Sequence, residues 1–192
     1  MSKADNLGII AEVKYGILFF LLIVVFISGF YIWSTKETQF KKIGTMEISS
    51  LAFKVGEKIP DAYTCDGRNI SPPLSIRDIP AETRSLAIIV DDPDAPSGDW
   101  VHWTAWNISP ETKEIIEGAT PKGASEGATD FGKPGYGGPC PHSGMHRYFF
   151  KLYALDAELN LASNAAKKDI EGAMEGHIVA QTSLMGRYQR GQ

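Results

Sequence analysis

Beyond residue 45 the chain reads as short apolar runs separated by turns of Pro, Gly and Asp. That punctuation is the pattern of an all-β sandwich, where strands are short and turns frequent. Residues 85–90 (SLAIIV) are almost continuously apolar and suit a strand buried on both faces. Residues 102–108 (HWTAWNI), 148–155 (YFFKLYAL) and 177–184 (HIVAQTSL) suit three more. One helix is predicted over 165–174 (AAKKDIEGAM), capped by Ser163 or Asn164 and stopped by Gly176. Its apolar face is slight, which puts it on the surface.

The chain has 192 residues, room for one ordinary domain and an appendage. The appendage is residues 16–33 (GILFFLLIVVFISGFYIW), uncharged throughout. A helix needs about 20 apolar residues to cross a bilayer, with about 17 as the lower limit. Tyr15, Tyr31 and Trp33 stand where interfacial rings are favoured. A cleaved secretory signal has an apolar region of about 7–15 residues ending at small residues. Here the run is longer, and bulky Phe30, Tyr31 and Trp33 follow Ser28-Gly29. The expectation is a tail over 1–15, a single transmembrane helix over 16–33, a polar linker over 34–44 and a domain over 45–192. The orientation signals conflict. Lys36, Lys41 and Lys42 place the domain in the cytoplasm by the positive-inside rule, whereas a short tail before a first apolar segment favours export. The reading adopted is a single-pass membrane protein with its domain on the extracytoplasmic side.

From Thr45 onward 14 Lys and Arg stand against 20 Asp and Glu, a net charge of −6. An acidic domain without a basic run argues against bulk binding to nucleic acid or to an anionic surface. Any anion it holds must be met locally, by aimed donors. Cys65 and Cys140 are the only cysteines. They are too few for a disulfide framework and form no C-x-x-C pair. One disulfide and two free thiols both remain open.

Two segments concentrate polar chemistry. The first runs Asp91-Asp92-Pro93-Asp94-Ala95-Pro96 out of the apolar run, then Trp100-Val101-His102-Trp103 into the next. Two prolines stiffen this turn. A histidine in an apolar wall needs a carboxylate or carbonyl to fix its tautomer, and Asp92–His102 is the pair this predicts. The second lies in a Gly- and Pro-rich stretch between Ile115 and Met145, far longer than a typical loop of about 4–6 residues. Its end, 135–141, is crowded with Gly and Pro, so backbone can approach a ligand and aim successive N–H groups at an anion. His146, Arg147 and Tyr148 follow, and strand alternation sends His146 and Tyr148 to one face.

Several motifs are excluded. Gly132-Lys133 is followed by Pro134 rather than by the Ser or Thr of a P-loop. Gly135-Tyr136-Gly137 does not continue as G-x-G-x-x-G. His142 and His146 are four apart, but in a loop rather than on a helix, which disfavours a metal.

Taken together, these segments resemble the signatures of the phosphatidylethanolamine-binding protein family, also called Raf kinase inhibitor-like. The prokaryotic YbhB/YbcL branch is the most similar. The resemblance spans nearly all of 48–190. It is carried by Tyr63-Thr64-Cys65-Asp66-Gly67, Ser71-Pro72-Pro73-Leu74, Asp92 to Pro96, Trp100 to Trp103, Gly132 to Pro141, His146-Arg147-Tyr148 and Leu152 to Asp156. It implies a mainly β, Greek-key antiparallel sandwich with one or two short surface helices. It also implies an anion pocket at one end, with Asp92, Asp94, Pro96, His102, the Gly138 amide, His146 and Tyr148 as its residues. The chain departs from the branch at His142, where Pro is usual, and at Ile76, where Trp is usual. His142 is expected to face solvent and Ile76 to alter packing.

The function expected is a membrane-anchored module that binds a phosphate-type anion, either a phospholipid headgroup or a phosphorylated partner. It would act as an inhibitor-like regulator of a kinase or protease, with no cofactor and with a homodimer as its assembly. The alternative is a hydrolase or lyase using Asp92–His102 as general base.

Overall fold

In the computed structural model, which describes residues 46–191, the backbone is paired in eight strands. They are β1 (Glu47–Ser49), β2 (Leu74–Arg77), β3 (Ser85–Asp92), β4 (Trp100–Ile108), β5 (Glu114–Ile115), β6 (Ser125–Glu126), β7 (His146–Leu155) and β8 (Ile178–Tyr188). One α-helix, α1 (Lys167–Met174), and a 3-10 turn (Asp61–Tyr63) complete the regular structure of the described residues. The strands form two antiparallel sheets, ordered β1-β2-β5 and β6-β4-β3-β7-β8.

The two sheets bury one core between them. Ile48, Leu74, Ile76 and Ile115 from the smaller sheet meet Leu86, Ile88, Val90, Trp103, Phe150 and Leu152 from the inner face of the larger. Ile76, the departure from the usual Trp, lies within this packing. The outer face of the larger sheet is covered too. Ala87, Ile89, Trp106 and Leu155 pack against Ile170 and Met174 of α1. Every residue of β3 is consequently buried, which is why its sequence is apolar continuously rather than alternately.

Helix α1 starts at Ala166, whose N–H donates to the Asp169 carboxylate at 2.9 Å. The Ser163 or Asn164 cap is therefore corrected: a side chain inside the first turn satisfies the free amide instead. The expected transmembrane helix is also corrected. Among the described residues no helix is long and apolar enough to cross a membrane. Helix α1 has eight residues and rises about 12 Å, against about 30 Å of hydrocarbon. The segment 16–33 itself, with the tail and linker around it, lies outside the described residues. The single-pass, extracytoplasmic localisation is set aside with that helix.

Three aspartates crowd the end of β3, and each takes a different partner. Alternation sends Asp91 to the outer face, where its carboxylate receives Lys151 Nζ at 2.6 Å and Lys167 Nζ at 2.7 Å. Asp92, on the inner face, receives His146 Nδ1 at 2.7 Å. Asp94, in the turn, is gripped by the Arg147 guanidinium at 2.7 and 2.8 Å. Only the first is a fully buried carboxylate facing two ammonium groups, and removing one side of a buried pair costs far more than opening a half-exposed one. Asp91→Ala is expected to lower the unfolding free energy by about 3 kcal/mol. Asp94→Ala should cost less than about 1 kcal/mol. Urea unfolding of both variants, followed by tryptophan fluorescence, measures the difference; equal losses would contradict the assignment.

Candidate functional site

Three neighbouring strands end together: β3 at Asp92, with β4 beginning at Trp100 and β7 at His146. Their ends and the long loop enclose a cleft of about 520 Å³. The base carries Asp92, His102, His146 and Tyr148, all buried. The walls are apolar, formed by Ala95, Pro96, Trp100, Phe131 and Pro141, with Ser97 and His142 also lining the cleft.

His102 reaches this base because of an irregularity. The ladder pairs Val90 with Trp103 and then Asp91 with Val101, so His102 is an extra residue in β4. Plain alternation from Trp103 would send His102 to the outer face. The bulge shifts the phase and brings its ring against Tyr148, edge-on, with centroids 5.1 Å apart. His102 Nδ1 meets the Gly137 carbonyl at 2.6 Å, while the Gly137 N–H donates to the His102 carbonyl at 2.9 Å. A carbonyl can only accept, so Nδ1 carries the proton and Nε2 is left unpartnered among the described residues. Phe131 covers the ring edge-on at 5.3 Å and meets Trp100 at 5.7 Å. A side chain at Gly137 would run into Phe131, since its Cβ would lie 2.3 Å from the ring.

The predicted Asp92–His102 pair is not formed. Asp92 Oδ2 binds His146 Nδ1 at 2.7 Å, and Asp92 Oδ1 accepts the Asp94 N–H at 2.9 Å. His102 takes a carbonyl instead of a carboxylate, which removes the pair on which the general-base reading rested. Tyr148 lies between the two imidazoles, stacked on His146 at 6.5 Å. Burial first, and the nearby Asp92 charge second, hold its phenol protonated to well above the ordinary tyrosine value. The hydroxyl is buried and no acceptor meets it in good hydrogen-bond geometry, although the Asp92 carboxylate lies close enough to favour the protonated phenol both as a charge and as a weak acceptor.

The other expected residues divide. Pro96 lines the cleft. Asp94 does not; the Arg147 side chain holds its carboxyl down to about 2, in a pair that stiffens the turn. Gly138 does not offer its amide to the cleft, because that N–H donates to Asn69 Oδ1 at 2.7 Å. A Cβ there would lie 2.5 Å from the Tyr63 carbonyl, so the glycine serves close backbone packing. Cys65 and Cys140 form a disulfide with Cα atoms 5.4 Å apart. With the Tyr136 hydroxyl on the Tyr63 carbonyl at 3.0 Å, it fastens the loop to the segment around residue 64. His142 is exposed as expected, and it also lines the cleft. Sequence reasoning missed Trp100, Phe131 and Asn69. Only Phe131 carried a local signal, an aromatic set in a polar, glycine-rich loop. Among the described residues no group of three His, Cys, Asp or Glu could hold a metal ion.

Burial lowers the His102 pKa, outweighing its bond to Gly137 and the charges of Asp92, Asp91 and Asp130. The unfolded chain protonates this histidine near pH 6.5, the folded one only at lower pH. Between those values the unfolded state binds more protons, so stability declines as pH falls below about 6.5. The His102 ring resonance should titrate with a midpoint below 6.5, and His102→Gln should flatten that part of the acid slope. A midpoint at or above 6.5 would contradict the buried neutral ring.

The family model described as phosphatidylethanolamine-binding protein matches residues 49–189. A UPF0098 protein of Methanothermobacter thermautotrophicus is 50% identical over 151 residues, covering 76% of this chain and all of that protein. One from Aquifex aeolicus is 48% identical over 153 residues, covering 76% and 89%. A crystal structure of a phosphatidylethanolamine-binding protein homolog from Chlamydia trachomatis superposes with a TM-score of 0.74 at 43% identity, covering 76% of this chain and 98% of that one. Escherichia coli YbcL, described as a member of the mammalian PEBP family, gives 0.72 at 31%, covering 76% and 99%. With a family model covering most of its length and relatives near half identity, this chain belongs to the phosphatidylethanolamine-binding protein family.

Proposed function

We propose that this domain is a binding module for a small oxyanion of the phosphate type, held at the base of the cleft and released unchanged. The observation that carries the reading is the Tyr148 hydroxyl, a protonated donor buried without a partner between two imidazoles whose Nε2 atoms are equally unpartnered. Leaving a buried donor unpaired costs about 1–3 kcal/mol. A ligand oxygen at this position recovers that cost. His146 becomes a second donor through Nε2 when protonated, with the Asp92 carboxylate at 2.7 Å as its counter-charge. The apolar walls exclude water and strengthen both interactions. They also leave room above the anion for the group that bears it, a lipid headgroup or a phosphorylated partner.

Among the described residues no Lys or Arg lines this cleft, so affinity depends on hydrogen bonds rather than on bulk attraction. Titration of the full chain with inorganic phosphate should shift the ring resonances of His102 and His146. Tyr148→Phe removes one bond to a charged ligand, worth about 1.5–3 kcal/mol, and should weaken binding by about 10- to 100-fold while leaving the fold intact. Unchanged spectra at millimolar phosphate would sink the reading.

A further inference from the structure

We propose that the cleft selects oxyanions that bring their own proton, taking singly protonated phosphate or a phosphomonoester in preference to sulfate or a phosphodiester. This rests on the phosphate-type reading above and names the class within it. The geometry sets two groups of opposite polarity side by side. The Gly137 carbonyl, 2.6 Å from His102 Nδ1, forces the ring proton onto that atom, so the neutral ring presents a lone pair at Nε2. Tyr148, in edge contact with the same ring at 5.1 Å, presents an O–H with no partner. One group asks for a donor and its neighbour asks for an acceptor.

A singly protonated phosphate supplies both, its P–OH to His102 Nε2 and a P–O⁻ to Tyr148. Sulfate and a phosphodiester supply acceptors only, and an acceptor facing the Nε2 lone pair is repelled. To take them, His102 must itself gain a proton. The groups facing it are Asp91 and Asp92 on β3, Asp130 and His142 in the loop, and His146 and Tyr148 on β7. The carboxylates favour that proton, but burial outweighs them. Asp91 is already answered by Lys151 and Lys167, and Asp130 by the Val101 N–H at 2.6 Å. Phosphomonoesters keep their second proton to a pKa of about 6, so roughly a tenth is singly protonated at pH 7 and most of it at pH 5.

The test is calorimetric titration of the full chain with inorganic phosphate, methyl phosphate, sulfate and dimethyl phosphate, at pH 7 and at pH 5. At pH 7 the first two, counted by their singly protonated forms, should bind at least about tenfold tighter than the last two, the scale of one hydrogen bond to a charged group. At pH 5 the phosphomonoester is almost wholly singly protonated, so the gap should hold or widen while the His102 ring resonance shows a neutral ring, and narrow only as that resonance shows protonation. His102→Gln, whose amide both donates and accepts, should narrow it at pH 7. Equal binding of all four at pH 7, with the Tyr148 ring resonance shifting in each case, overturns the selectivity and leaves the anion site standing. Binding of none overturns both.

Discussion

Strand β3 is covered on both faces, by the smaller sheet within and by α1 without, yet it ends in two aspartates. A strand in that position cannot leave a carboxylate to water, so each must find a hydrogen-bonding partner on its own face. Asp91 gathers Lys151 from β7 and Lys167 from the first residue of α1, tying helix to sheet. Asp92 takes His146 from β7 and so fixes one wall of the cleft. The turn that follows is stiffened by two prolines and by the grip of Arg147 on Asp94. Core, helix placement and binding site all depend on how this one strand ends.

The cleft uses buried polarity sparingly. Both imidazoles are oriented through Nδ1, one by a carbonyl and one by a carboxylate, so their free nitrogens are determined before any ligand arrives. Tyr148 is kept protonated by its surroundings. Such pre-oriented groups need little reorganisation on binding, which conserves affinity in a site without a fixed cation. The disulfide and the Gly138–Asn69 bond serve the same end by holding the loop wall in place.

Much of this was legible in residue order. The continuous apolar run at 85–90 announced a doubly buried strand, and alternation at 146–148 put His146 and Tyr148 on one face. The partner of Asp92 was misassigned because the Gly137 carbonyl, 35 residues away in the chain, takes His102 Nδ1 and leaves the carboxylate to His146, and nothing in HWTAWNI signals either contact. Gly138 was expected to present its amide. That N–H is taken by Asn69, 69 residues away in the chain, a contact only the closed fold creates. The outer stripe of α1 looked too slight to bury, but two residues, Ile170 and Met174, suffice to cover the sheet.

The central claim is that Tyr148 and the two free imidazole nitrogens form one anion-binding constellation. A crystal structure of the protein grown with inorganic phosphate tests it most directly. The account predicts a phosphate in the cleft, with oxygens within hydrogen-bond distance of Tyr148 Oη and of Nε2 on His102 and His146. A cleft base holding only water would contradict it.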